Sequence, residues 1–364
     1  MTTIRSAVCV RCPPRWLMLR VETDDGEVGW GEAIGDLHQE VEQALNAIGE
    51  RVQGSSIHDI SKLVETQRKN RFWRDGPVLD TAVSALEMAL WDLKGKLLGA
   101  PVHDLLGGRV RERVRVYRNL WGRNPEEFAN SAKEAISNSM TAVKVSPAGP
   151  TTDVISRFHM DEMEAVVSAV RDAVGPAIDV AIDLHGRLTP AASRRAIHAL
   201  SKYDPFFIEE PCLPDGSASH LADLRALRTA QPVAIATGER LRSAHAFAEH
   251  LLPSPVVDII QPDVSMVGGI RSSVEIGAMA SAAQVAMAPH CPYGPVQFAA
   301  SMQVAATSPA HLIQEFQSLG GAGSGGGAPG GGQNWAFELL SQPFSIEMGH
   351  VEISSRPGLG IEVL

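Results

Sequence analysis

Short apolar runs, each closed by an acidic or imidazole side chain, recur through the middle of the chain. Clear examples are Val-Ala-Ile-Asp at 180–183, Phe-Phe-Ile-Glu at 206–209 and Val-Ala-Met-Ala-Pro-His at 285–290. Apolar runs without polar alternation are typical of strands buried on both faces. Successive closing residues lie 24 to 30 residues apart, about the length of a strand, a helix and two loops. These closing residues are Asp183, Glu209, Glu239, Asp263, His290 and Glu315.

Two earlier runs, Arg113–Tyr117 and Ala142–Val145, bring the predicted strands to eight. Helical periodicity lies between strands, for example at 160–174 and 190–201. Eight strands that alternate with helices predict a (β/α)8 barrel. In such barrels the active site lies at the C-terminal ends of the strands, which is where the closing residues would meet.

The first 112 residues follow a different pattern. Two apolar runs, Trp16–Thr23 and Glu27–Glu32, flank an Asp-Asp-Gly turn and predict a hairpin. Helical periodicity then follows at 39–53, 58–70 and 79–98. A hairpin before helices predicts an N-terminal α+β capping domain at 1–112.

The remaining segments complete the predicted domain organisation. A barrel catalytic domain at 113–341 follows the capping domain, and residues 342–364 are expected to pack back on that domain. Residues 320–332 consist mainly of glycine, so they cannot build a core and predict either a surface loop or a flap.

Composition narrows the class of protein. The chain is 44% hydrophobic and 20% charged, as soluble globular proteins are. We expect a cytoplasmic protein, because no stretch reaches the roughly 20 apolar residues of a membrane span and Met1–Arg15 lacks the core of a secretory signal. The net charge of −10 argues against nucleic acid and anionic membranes as partners. Four cysteines in so long a chain do not indicate a disulfide framework.

Three closing carboxylates indicate a metal site. Asp183, Glu209 and Glu239 end consecutive predicted strands, so we expect them to be neighbours around the barrel mouth. Converging carboxylates repel one another unless a cation neutralises them, and all-oxygen ligands favour Mg²⁺ or Mn²⁺. The alternative is that each acid caps a helix or pairs with an arginine, as Glu239 could with Arg240. Three acids at successive strand ends favour the metal.

Motifs along the chain resemble the enolase superfamily and, within it, the mandelate racemase subgroup. They are Asp-Leu-His-Gly-Arg at 183–187, Ile-Glu-Glu-Pro at 208–211, Thr-Gly-Glu-Arg at 237–240 and Ala-Pro-His-Cys-Pro at 288–292. The pattern is most similar to the D-galactonate dehydratase family. This resemblance implies a modified, (β/α)7β barrel and one Mg²⁺ per subunit, and we also expect a homo-oligomer.

The resemblance also implies roles for the other closing residues. A base would remove the α-proton of a sugar acid whose carboxylate binds Mg²⁺. His290 suits that role, because Asp263, one strand away, can hold its imidazole in one tautomer. His185 is implied to protonate the departing hydroxyl. Glu315 is expected to hydrogen-bond the substrate carboxylate, and Lys144 to offset its charge.

One departure from the family pattern favours elimination. The family's racemases carry Lys-x-Lys on the second strand, whereas this chain has Lys144-Val145-Ser146. A racemase needs acid–base groups on both faces of its substrate, so the sequence predicts a carbon–oxygen lyase that forms a 2-keto-3-deoxy sugar acid, with D-galactonate as the first candidate.

Three alternatives stay open: an epimerase or a cycloisomerase of the same subgroup, and a non-catalytic metal-binding scaffold. The sequence does not identify the sugar acid that binds. The candidate substrate-binding residues are Arg15, Trp16, Trp73 and Arg187.

Overall fold

The structure, a computed structural model, describes residues 2–13, 15–70, 72–149, 155–213, 218–316 and 339–364. The glycine-rich segment 320–332, predicted to form a loop or a flap, lies outside these ranges. Within them, no helix is both long and apolar enough to cross a membrane.

A three-stranded antiparallel sheet opens the chain. Its strands, in spatial order, are β1 (Ile4–Cys12), β2 (Trp16–Thr23) and β3 (Val28–Ala33). The hairpin predicted from the Asp-Asp-Gly turn is β2–β3, and Gly26 in that turn has a φ of 87°, which glycine adopts at little cost. Strand β1 was not predicted, because its buried positions do not form an apolar run.

Four helices follow: α1 (His38–Val52), α2 (Ile60–Lys69), α3 (Pro77–Leu98) and α4 (Val102–Leu105). Helix α3 is buried along most of its length and packs on β3. That packing requires glycine at position 31, since a Cβ there would lie 1.8 Å from the Ala85 carbonyl oxygen. The sheet and these helices form the capping domain.

Eight parallel strands then form the barrel. In spatial order β10, β9, β8, β7, β6, β5, β4 and β11 are neighbours, and a parallel bridge between Met287 and His311 joins β10 to the start of β11. The strands are β4 (Arg113–Asn119), β5 (Ala142–Val145), β6 (Asp179–Asp183), β7 (Ile208–Glu209), β8 (Ile235–Thr237), β9 (Ile259–Ile260), β10 (Ala286–Met287) and β11 (Gln314–Phe316).

A helix lies between each pair of consecutive barrel strands. These helices are α5 (Pro125–Ser137), α6 (Arg157–Val174), α7 (Pro190–Leu200), α8 (Ala218–Ala230), α9 (Ala244–Leu251), α10 (Ile270–Ala282) and α11 (Pro295–Thr307), with a short 3₁₀ turn at Ser201–Tyr203. The predicted fold class, a modified (β/α)8 barrel with an α+β capping domain, is confirmed.

The barrel interior is closed by its own side chains. Small residues pack there beside large ones such as Tyr117 and Phe207, whose rings meet edge to face. These side chains form a plug, to which each barrel strand contributes one residue, either from the strand or directly beside its end. The residues are Tyr117, Ala142, Ala181, Phe207, Ala236, Ile259, Ala288 and Ile313. Polar groups therefore concentrate at the mouth above it.

The C-terminal tail contacts both parts of the molecule. Strand β12 (His350–Glu352) pairs antiparallel with β4 of the barrel. The Leu359 N–H donates to Asp92 Oδ1 on α3 at 2.9 Å, and Asp92 Oδ2 accepts the Trp30 N–H from β3 at 3.0 Å. The tail thus joins the capping domain to the barrel, while the predicted boundaries at 112 and 341 stay predictions.

Candidate active site

A cavity of about 1070 Å³ opens at the C-terminal ends of the barrel strands, beneath the capping domain. Glu209, which ends β7, lies outside its lining, under Lys144, whose Nζ donates to Glu209 Oε1 at 2.6 Å. Seven other residues predicted to act in catalysis or metal binding line the cavity: Lys144, Asp183, His185, Glu239, Asp263, His290 and Glu315.

The predicted base and its partner are in contact. His290 Nδ1 lies 2.8 Å from Asp263 Oδ2, and a carboxylate can only accept there, so Nδ1 carries the proton. His290 Nε2 lies 3.5 Å from Glu239 Oε2. Burial lowers the pKa of His290, but Glu239, the hydrogen bond with Asp263 and Glu315 outweigh it and raise the pKa to about 10.

Each predicted metal ligand is held by a cationic or imidazole side chain. Asp183 Oδ2 lies 2.8 Å from His185 Nε2, and Glu239 Oε1 lies 3.2 Å from Arg240 Nη1. Glu209 is held by Lys144. No group of three or more acid, imidazole or thiol side chains in the described ranges is already arranged to hold an ion.

The chemistry of the donor set nevertheless fits a hard cation. Asp183, Glu209 and Glu239 supply only carboxylate oxygens, from the ends of three adjacent parallel strands. Gln261 donates to Glu209 Oε2 at 2.7 Å, and its own buried Oε1 has no hydrogen-bond partner among the described residues. Binding a cation there would require the carboxylates to turn away from their present partners.

Lys144 is the positive centre of the mouth. Its Nζ lies 2.6 Å from Glu209, 3.2 Å from Glu315 and 3.9 Å from Asp183. Although burial acts to lower the pKa of Lys144, these carboxylates raise it well above the usual value. Burial in turn raises the pKa of Glu209 to about 8, against the effect of Lys144. The buried mouth therefore contains more acid than a single lysine neutralises.

His185 is held beside the cavity by its backbone as well as its ring. Its φ of 52° is left-handed, and its N–H donates to Asp183 Oδ1 at 2.7 Å. Its carbonyl accepts from Arg240 Nη2 at 3.2 Å. Its side chain keeps 37% exposure, so the ring can reach a molecule in the cavity.

Glu315 is fixed by three donors. Asn119 Nδ2 donates to Oε1 at 2.6 Å, the Cys291 N–H donates to Oε2 at 2.6 Å, and Lys144 Nζ lies 3.2 Å from Oε1. Burial acts to raise the pKa of Glu315, but Lys144, His290 and the hydrogen bonds outweigh it, so the pKa lies below its usual value.

The predicted substrate-binding residues divide into two pairs. Arg15 and Arg187 line the cavity, and the Arg15 guanidinium lies 5.7 Å from the centre of the Tyr293 ring. Trp16 is buried in the core, and Trp73 is 84% exposed before α3. Neither tryptophan lines the cavity.

Sequence reasoning missed several polar groups of the site. Asn119 ends β4 as the closing acids end their strands, and that position could have identified it. Arg240 was noted only as a possible partner of Glu239, yet it also holds Glu210 at 2.6 Å. No comparable sequence signal marks Gln297, because it lies next to apolar Val296 within a buried helix and not at the end of a strand.

The structure combines a parallel barrel, an α+β domain above its mouth, and carboxylates with a His–Asp pair at that mouth. This arrangement is typical of barrel enzymes that catalyse proton transfer. Two family models match this chain. "Mandelate racemase / muconate lactonizing enzyme, N-terminal domain" matches residues 3–107, and "Enolase C-terminal domain-like" matches residues 127–364. The chain therefore belongs to the mandelate racemase/muconate lactonizing enzyme family, as its sequence predicted.

Individual relatives cover nearly the whole chain. A D-galactonate dehydratase of Variovorax paradoxus is 36% identical over 354 residues, which are 97% of this chain and 90% of that protein. A D-gluconate dehydratase of Thermoproteus tenax is 35% identical over 96% of this chain and 69% of its own length. The crystal structure of a mandelate racemase/muconate lactonizing enzyme from Sulfitobacter sp. has a TM-score of 0.88 and 30% identity, covering 100% of this chain and 94% of that one. The dehydratase names agree with the predicted carbon–oxygen lyase.

Proposed function

We propose that this protein is an acid-sugar dehydratase that converts a sugar acid to its 2-keto-3-deoxy product, with D-galactonate as the first candidate substrate. One observation carries the proposal: His185 and His290 stand on opposite sides of one cavity. They follow β6 and β10, which lie four strands apart in the ring of eight. A base and an acid on opposite sides suit removal of an α-proton and departure of a β-hydroxyl.

The relatives' names support the same reaction. D-galactonate and D-gluconate, the compounds in those names, are both sugar acids. Ser146, directly after β5, is consistent with dehydration, because it lines the cavity and offers no amine base there. This position argues against a racemase or an epimerase whose second base is a lysine after β5.

Different residues of the chain carry out the separate steps of this reaction. His290 in its neutral form accepts the α-proton at Nε2 while Asp263 holds its Nδ1–H; a cation held by Glu239 would weaken the largest interaction that raises the His290 pKa and so favour that neutral form. His185 donates a proton to the leaving hydroxyl. Lys144 binds the end of the substrate where charge develops, and Glu315 holds Lys144 there, with its Oε1 3.2 Å from Lys144 Nζ.

We propose Mg²⁺ as the cofactor, with Mn²⁺ as a substitute. Asp183, Glu209 and Glu239 would hold it, and when bound it supplies Lewis-acid stabilisation of the charge that develops on the substrate carboxylate.

Incubation with a set of mono- and di-acid sugars plus Mg²⁺ tests the proposal. We expect at least one of them to yield a 2-keto-3-deoxy acid, detected as an α-keto acid and by mass. A substrate that exchanges its α-proton with deuterated solvent but never loses water would contradict dehydration and support an isomerase. Absence of both exchange and product from every sugar acid would contradict the whole assignment.

A further inference from the structure

A buried glutamine links the capping domain to the proposed base. Gln297 lies in the first turn of α11, is 0% exposed and does not line the cavity. Its Oε1 accepts the Tyr293 N–H at 2.9 Å, so Nε2 is the atom that faces Asp263 Oδ1, to which it donates at 2.8 Å. The amide orientation is thus set by the backbone of the preceding turn.

That donor completes the hydrogen bonding of Asp263. Oδ1 accepts from Ser265 N–H at 2.7 Å and from Gln297, while Oδ2 bonds His290 Nδ1 at 2.8 Å. A carboxylate is a rigid plane, so the donors on one oxygen fix the direction of the other. If Gln297 released Oδ1, the plane could rotate and carry the imidazole with it.

The backbone of Gln297 is itself held by the capping domain. Glu32, fully buried on β3, accepts the N–H groups of Val296 at 3.1 Å and Gln297 at 2.9 Å, and also that of Gly294. A Cβ at position 294 would lie 2.5 Å from Glu32 Oε1, so only glycine permits this approach. Contacts therefore run from β3 through the start of α11 to the His–Asp pair.

We propose that Gln297 is a positioning residue, which holds Asp263 and, through it, keeps His290 with its proton on Nδ1 and its Nε2 toward the cavity. The effect on rate rests on the proposed function, whereas the effect on the imidazole does not. Loss of a supporting hydrogen bond of this kind typically lowers activity about 10- to 100-fold.

The chain offers a matched control on the same helix. Gln303 is also buried on α11, where its Oε1 accepts the His103 N–H at 2.9 Å and its Nε2 donates to the Leu359 carbonyl at 3.0 Å. Gln303→Met and Gln297→Met each remove a buried amide of the same size. Of these two glutamines, Gln297 is the one that contacts Asp263. A second variant, Gln297→Glu, keeps the acceptor for Tyr293 but has no amide to offer Asp263.

Two measurements on the whole 364-residue chain test the proposal. In histidine-¹⁵N-labelled protein without substrate, two-bond ¹H–¹⁵N spectra report the tautomer and environment of His290, identified by the signal missing in His290→Asn. We expect that signal to move in both Gln297 variants and to stay in place in Gln303→Met. For a sugar acid that the wild type turns over, we expect α-proton exchange and kcat to fall about 10- to 100-fold in the Gln297 variants, with KM within about twofold.

The outcomes separate the two proposals. An unchanged His290 signal in a folded Gln297→Met would overturn the positioning role. So would equal losses of exchange in Gln297→Met and Gln303→Met, because these would reflect general packing of α11. If the wild type acts on no sugar acid, the proposed function fails, and the His290 signal alone decides the role of Gln297.

Discussion

At the barrel mouth, side chains of opposite charge lie in contact within a small buried volume. Lys144 is paired with two carboxylates within 3.2 Å, and Arg240 with Glu210 and Glu239. Unpaired charges would be costly at this depth, so each cation stabilises the acids that it contacts. The two histidines add groups that can exchange protons with a bound molecule.

Replacing each histidine separately should distinguish removal of the α-proton from loss of the hydroxyl. His290→Asn removes the proposed base, and we expect exchange of the substrate α-proton with deuterated solvent to fall at least about 1000-fold, together with product formation. His185→Asn removes only the proposed acid, so we expect product formation to fall by a similar factor while exchange continues. NMR of substrate in D₂O measures exchange, and an α-keto acid assay measures product.

The control for that pair is His245→Asn, because His245 is exposed on α9, away from the cavity. It should leave both rates at the wild-type level. Equal loss of exchange in His185→Asn and His290→Asn would contradict the divided roles and would mean that His185 also acts before the proton is removed.

At the scale of elements, the capping domain holds two barrel helices by their N-termini. Glu32 from β3 accepts backbone N–H groups at the start of α11. Glu87 from α3 accepts those of Ile270 at 2.7 Å and Arg271 at 3.0 Å at the start of α10. Carboxylates are favourable at helix N-termini, where backbone donors lack partners within the helix. Helices α10 and α11 directly follow the strands of Asp263 and His290, so these contacts also position the site.

Burial gives this docking a pH dependence. It raises the pKa of Glu87 to about 7, although the helix donors and Trp91 act to lower it. Because the folded-state pKa lies above the ordinary value near 4.5, the contribution to stability is fully present below pH 4.5 and is lost as the pH rises through 7. We expect Glu87→Gln to reduce the loss of unfolding free energy between pH 5 and pH 8 by about 2 kcal/mol.

Urea unfolding at the two pH values measures this difference. Glu50→Gln is a suitable control, since Glu50 is exposed on α1 and its loss should leave the pH dependence unchanged. An identical pH dependence in wild type and Glu87→Gln would show instead that the helix donors keep the carboxylate ionised throughout.

For the whole molecule, the fold could be predicted because its signals are local. Each barrel strand is a short apolar run, and a residue such as Asp183 directly follows its run, so topology alone carries it to the mouth. Gln297 and Glu32 could not be identified that way, since Gln297 contacts Asp263 across 34 residues of chain and Glu32 contacts Gln297 across 265. The pairing of Lys144 with Glu209 also depends on side-chain reach across the barrel, which apolar periodicity does not encode.

Metal binding should appear as a change in the stability of the whole molecule. A ligand at 100 times its dissociation constant stabilises the folded state by about 2.7 kcal/mol, so we expect Mg²⁺ to raise the Tm by several degrees. Glu209→Gln should abolish that rise. Its neighbour supplies a matched control: Glu210 is equally buried but holds Arg240 at 2.6 Å and the Gly238 N–H at 3.1 Å. Glu210→Gln should keep the Mg²⁺-dependent rise even if its own Tm is lower. Calorimetric scans with and without Mg²⁺ compare the three proteins, and a full rise in Glu209→Gln would show that the cation binds elsewhere.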